Sequence, residues 1–148
     1  MQWKDRLPAG IVYDHPVSAL DLGATIVAHS GAEVPKDKPL DGVNLIPYLK
    51  GQKKTPPHET IYLRKFDQNR FAVRHGNEKV VVPWKGAEPL LFDLSKDISE
   101  TNNLAVERPE RVKKLEELRK SWNEELIDPT FEGLMLRKLR KDSKSKKR

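Results

Sequence analysis

After residue 57 the period of the apolar residues changes from helical to alternating, and no other feature constrains the fold of this 148-residue chain as strongly. Ile61 and Leu63 fall on one face of an extended segment, with Tyr62, Arg64 and Phe66 on the other. Residues 71–74 and 79–82 are strand-like runs joined through His75-Gly76-Asn77, where Gly and Asn tolerate the positive φ of a tight turn. Pro83, which has no N–H to donate, ends that ladder, and residues 90–94 supply a fourth short strand. The pattern predicts a small four-stranded antiparallel sheet. A helix over about residues 109–127 is expected to cover it, with Val112, Leu115, Leu118, Trp122 and Leu126 as its apolar stripe and Pro129 as its stop.

Ahead of the sheet the spacing is helical. Pro16 suits a first helical turn, Val17, Leu20, Ala24, Val27 and Ala28 follow at helical intervals, and Gly31 is a natural stop. A linker-like stretch, residues 32–39, leads to Leu40-Asp41-Gly42 and a short helical turn that Asn44 is placed to cap, with Leu45 and Leu49 on one face. Residues 51–57 read as a surface loop. Asp21 interrupts the apolar helix; a buried carboxylate needs partners, and hydrogen bonds to neighbouring backbone are preferred here to a metal-ligand role.

Composition excludes several functions. With 36% hydrophobic and 34% charged residues, the chain has apolar material for one modest core. No run approaches the roughly 20 apolar residues of a membrane-spanning helix, and the opening residues lack the apolar region of a signal peptide. As written, the chain is therefore expected to stay in the cytoplasm. Having no cysteine, it can form neither disulfides nor thiolate nucleophiles. Its net charge of +6 is concentrated in residues 135–148, where eight Lys or Arg stand against Asp142; this gives +7 there and −1 elsewhere. That segment reads as a basic disordered tail. It has no interleaved aromatic residues for base stacking, so the sequence argues against specific nucleic-acid recognition.

The four histidines, His15, His29, His58 and His75, include no i,i+4 pair and read as turn, loop or helix-surface residues. Of the tryptophans, Trp122 belongs to the helix stripe, and Trp84, between Pro83 and Lys85, is the candidate for ligand contact.

Four motifs, in order, resemble the final third of the formylglycine-dependent sulfatase family, particularly bacterial arylsulfatase-like members. The first is Gln2-Trp3-Lys4-Asp5-Arg6-Leu7-Pro8-Ala9-Gly10, followed by the run from Pro16 to Thr25. The second, Leu40-Asp41-Gly42-Val43-Asn44-Leu45-Ile46-Pro47-Tyr48-Leu49-Lys50-Gly51, is similar to L-D-G-x-S-L-x-P-x-L-x-G, with Asn44 in place of the capping Ser. The third, Ala72 to Lys79, is similar to A-x-R-x-G-x-x-K. The fourth, Leu91 to Ala105, is similar to L-Y-D-L-x-x-D-P-x-E-x-x-N-L-A, with Phe92 for Tyr and Ile98 for Pro. The resemblance runs over about residues 1–134.

It implies an α+β chain. Residues 1–51 would be the end of an alkaline-phosphatase-like α/β catalytic domain, 52–134 the C-terminal subdomain with its four-stranded antiparallel sheet and helix, and 135–148 the tail. It also implies a parent reaction, sulfuric ester hydrolysis, that uses a formylglycine matured from C/S-x-P-x-R beside a divalent cation, usually calcium. No cysteine is present and no serine here is followed by x-Pro-x-Arg, so no catalytic or metal-binding role carries over. His58, Arg64 and Arg74 are candidates for the edge of a substrate cleft, since cations there attract a sulfated ligand.

The chain is thus expected to be an inactive C-terminal fragment, beginning at an improbable point within the large domain. The implied partners are a separate N-terminal catalytic domain and a sulfated small molecule or glycan. The parent family is commonly periplasmic or secreted. The alternative is a free-standing interaction module whose basic tail binds a polyanion.

Overall fold

The computed structural model describes residues 2–131 and 133, so the basic tail at 135–148 lies outside the described residues. The chain divides into two units, Met1–Glu59 and Thr60–Arg148.

The first unit is built on α1, Ala19–Ser30, and the single turn α2, Ile46–Leu49. Helix α1 begins three residues later than Pro16 suggests, because Ser18 caps it. The Ser18 hydroxyl accepts from the Leu20 amide, and Asp21, three positions into the helix, accepts from the Ser18 amide. Gly31, at φ 79°, ends it in the left-handed conformation.

The expected stripe is out of phase with the buried face. Asp21, Ala24 and Thr25 are buried, whereas Leu20 is 60% exposed and Ile26 is 68% exposed. Val17 and Leu22 are also exposed. The reason is chemical: the segment packed on α1 offers backbone amides, and these select the polar Asp21 and Thr25 rather than the apolar neighbours. Asn44 is not the N-cap of α2: that position is Leu45, which has no side-chain cap bond, and Asn44 lies one residue earlier, its Oδ1 accepting from the Ile46 amide in a local turn, with Leu45 buried and Leu49 half-buried.

In the second unit β1, Thr60–Lys65, β2, Arg70–His75, β3, Glu78–Val82, and β4, Leu90–Asp93, form an antiparallel sheet in sequence order. Helix α3, Pro109–Glu124, lies against β2 and β3, so the unit is α+β. The β2–β3 hairpin turns through Gly76, at φ 58°, and Asn77, with His75 opposite Glu78. Phe66, expected in β1, instead opens a short 3-10 turn, Phe66–Gln68, because the ladder ends at the Lys65–Arg70 pair and the chain must reverse there. Asn69 completes the reversal at φ 48°.

Helix α3 stops at Glu124 rather than 127, and Leu126 and Ile127 lie beyond it. Pro129 disfavours helical backbone at Asp128, so the last turn ends upstream.

Register explains the core. Tyr62, Val73, Val80 and Leu91 lie opposite one another across four strands on the α3 face. Val73, Val80, Leu91, Leu104 and Leu115 form the buried cluster, with Tyr62, Ala105 and Val112 packed on it. Trp122 stacks on Tyr62 at 4.9 Å between centroids, which accounts for its place on the helix stripe.

Candidate functional site

Among the described residues, Asp21 has the densest polar environment in the first unit. Its carboxylate is fully buried and accepts from the amides of Ser18 at 2.7 Å and Val43 at 2.9 Å, while His58 Nε2 lies 2.8 and 2.9 Å from its two oxygens. Burial alone would raise the Asp21 pKa; the Ser18 and Val43 amides and the His58 contact outweigh it, and the net shift is downward. The expected backbone bonding is therefore present, joined by two partners distant in sequence.

This arrangement explains the Leu40 to Gly51 motif. Gly42 brings its backbone so close to α1 that an added Cβ would lie 2.2 Å from the Leu20 carbonyl oxygen. The Val43 amide then reaches Asp21, and the Leu45 amide donates to the buried Thr25 hydroxyl.

The Leu91 to Ala105 motif fastens the last strand. Asn103 Oδ1 accepts from the amides of Leu91 and Ala105, and the Leu104 amide donates to the Leu91 carbonyl, so the returning loop covers the outer edge of β4. Asp97 shapes that loop. The amides of Asn102 and Thr101 donate to its carboxylate and, with the Thr101 hydroxyl, hold its pKa below the usual carboxylate value. Glu100, at φ 56°, accepts from Lys79 Nζ and so ties the loop to the hairpin motif, in which Arg74 Nε donates to the Gly76 carbonyl. On the α3 face, Arg111 donates to Glu78.

Of the three candidate cleft residues, Arg64 and Arg74 lie on opposite faces of the second unit's sheet. His58 belongs to the first unit and is held by Asp21. Arg64 lies on the α3 face of β1, where it pairs with Asp128 at 2.9 Å and stacks over Phe66. Arg74 is opposite Ile61, which places it on the other face of the sheet. Of the remaining histidines, His29 meets Trp3 edge-on, His15 meets Tyr13 edge-on, and His75 Nδ1 is 2.8 Å from the Thr60 hydroxyl.

Among the described residues no three His, Cys, Asp or Glu side chains are grouped to hold a metal ion. Among the described residues, no helix is long and apolar enough to cross a membrane.

Sequence reasoning missed Thr25, Asn103 and the pairing of Asp21 with His58. The register also sets Lys65 directly opposite Arg70 beside an open groove that Trp84 helps to line. Only the two-sided hairpin pattern hinted at that juxtaposition.

Fold and fastenings together describe a small sheet-and-helix region whose motifs serve packing. No family model matches the chain. It is 32% identical over 133 residues to arylsulfatase D of Homo sapiens, a match covering 69% of this chain and 22% of the relative. To arylsulfatase A of Bos taurus it is 32% identical over 152 residues, covering 82% of this chain and 30% of the relative. Among solved structures it resembles Ps i-CgsB in complex with k-i-k-neocarrahexaose, with a TM-score of 0.73 and 26% identity over 89% of this chain and 30% of that one. The architecture and these relatives define the class: a sulfatase-related α+β region. The chain has curated sulfatase homologues and is consistent with a C-terminal sulfatase-family region; it spans less than a third of the length of these relatives.

Proposed function

We propose that this region supports sulfuric ester hydrolysis in a sulfatase without performing the bond cleavage. The observation that carries this reading is chemical. The 148 residues include no cysteine and no serine followed by x-Pro-x-Arg, so they contain no precursor of a formylglycine nucleophile. In the family, formylglycine and a divalent cation, usually calcium, supply the attacking oxygen and its activation; here neither role is assigned to any residue.

Residues 1–51 are read as the end of the catalytic α/β domain and 52–134 as the C-terminal subdomain that braces it, with a catalytic domain as partner and a sulfated small molecule or glycan as the parent's substrate. The saccharide bound by Ps i-CgsB supports a glycan. Arg74 is the cation proposed for the cleft edge, because Arg64 is paired with Asp128 and the His58 ring is hydrogen-bonded to Asp21. The purified chain, assayed with an aryl sulfate and added calcium, is expected to release no sulfate. Calcium-dependent turnover would refute this reading.

The charge of +7 in residues 135–148 favours a second reading, an interaction module that binds polyanions through this tail. Salt-sensitive polyanion binding that disappears on deletion of residues 135–148 is its signature.

A further inference from the structure

We propose that the sheet face opposite α3 binds a sulfated saccharide; the choice of sulfate as the anion rests on the sulfatase reading, whereas the site rests on the geometry. Register places Leu63, Ala72 and Val81 in one row across β1, β2 and β3, with the Lys65–Arg70 pair in the next row. An open groove of about 560 Å³ is lined there by Leu63, Lys65, Arg70, Ala72, Val81 and Trp84. That volume lies within the range of about 300–1,000 Å³ typical of small-ligand sites. Leu63 is 59% exposed and Trp84 61% exposed, so an apolar floor and an indole are open to solvent.

The cations give the groove its chemistry. Like charges directly opposite on paired strands are destabilising. The neighbouring Arg74–Lys79 pair is relieved because Lys79 binds Glu100 and Arg74 binds the Gly76 carbonyl. Lys65 and Arg70 are both exposed, and neither forms a salt bridge among the described residues.

An anion bridging Lys65 and Arg70 removes their repulsion. Successive same-face rows are about 7 Å apart, so a ring whose substituent reaches the cations lies over the aliphatic floor and Trp84. A pyranose presents the required C–H face, and its sulfate ester presents the anion. Charge complementarity thus favours a sulfated saccharide over an apolar protein surface.

The full chain can be titrated calorimetrically with a sulfated carrageenan hexasaccharide, its desulfated counterpart and p-nitrophenyl sulfate. The sulfated hexasaccharide is expected to bind, and Trp84→Ala or the double variant Lys65→Gln/Arg70→Gln to weaken it about tenfold or more, equivalent to about 1.4 kcal/mol. Deletion of residues 135–148 is expected to leave binding intact, and the desulfated sugar to bind far more weakly.

The double variant removes like charges and should melt no lower than the parent, which separates lost binding from lost folding. Binding that survives both groove variants, that disappears with the tail, or that is restricted to the aryl sulfate overturns the proposal. So does concentration-dependent self-association that buries Trp84, or no binding at all. Turnover in the sulfatase assay would refute the supporting role while leaving groove binding intact, so the two failures are distinguishable.

Discussion

Asp21 is the point at which three segments of the first unit meet: the Ser18 cap, the Val43 loop and His58. Because its pKa is lowered in the folded chain, the unfolded state binds the extra proton first as pH falls. Its stabilising contribution is therefore complete above the ordinary value of 3.8 and is lost as pH drops through the lower folded value. Urea denaturation from pH 6 downward, followed by circular dichroism, should show stability falling in that acid window, and Asp21→Asn should flatten the slope. At neutral pH Asp21→Ala should cost about 3 kcal/mol, since it leaves two amides and an imidazole without their acceptor.

Gly42 has a steric role. Gly42→Ala drives a methyl group into the Leu20 carbonyl and should destabilise the first unit by about 3 kcal/mol in the same denaturation experiment. None of this geometry was legible residue by residue. Asp21 was recognisable as a carboxylate needing partners, but His58 lies 37 positions away, beyond the reach of any periodicity.

At the level of elements, the alternating period revealed all four strands, and Pro83 and Gly76 marked their limits, because short-range sterics fix both ladders and turns. The phase of α1 was not legible. Its apolar residues suggested one buried face, but hydrogen-bonding demand turned Asp21 and Thr25 inward instead. The ends of β1 and α3 shifted for local reasons, a chain reversal after Lys65 and a proline at 129. Of the candidate cleft residues, Arg64 and Arg74 were individually visible, but their opposite faces became apparent only through the β1–β2 register.

Asn103 links sequence motif to element most directly. Asn103→Ala leaves the Leu91 and Ala105 amides without an acceptor and should cost about 1–3 kcal/mol, with faster hydrogen exchange at Leu91 as the site-specific readout.

For the whole molecule, burial is unevenly distributed. The second unit contains the apolar cluster of Val73, Val80, Leu91, Leu104 and Leu115, whereas the first unit buries polar side chains among its few apolar ones. Native-state hydrogen exchange should therefore find the amides of Val73 and Val80 among the slowest, with those of residues 32–39 exchanging early. Leu115→Ala, which opens a cavity in that cluster, should cost about 2–5 kcal/mol and bring those slow amides forward.

The folded-back segment at Leu104 leaves the sheet of the second unit asymmetric as a template, since the rim of β4 is already occupied, whereas β1, the other end strand, has no further strand beside it among the described residues. Two copies joined rim to rim through β1 would each present a closed margin outward. Growth by strand addition would then stop at a pair instead of continuing into a fibre.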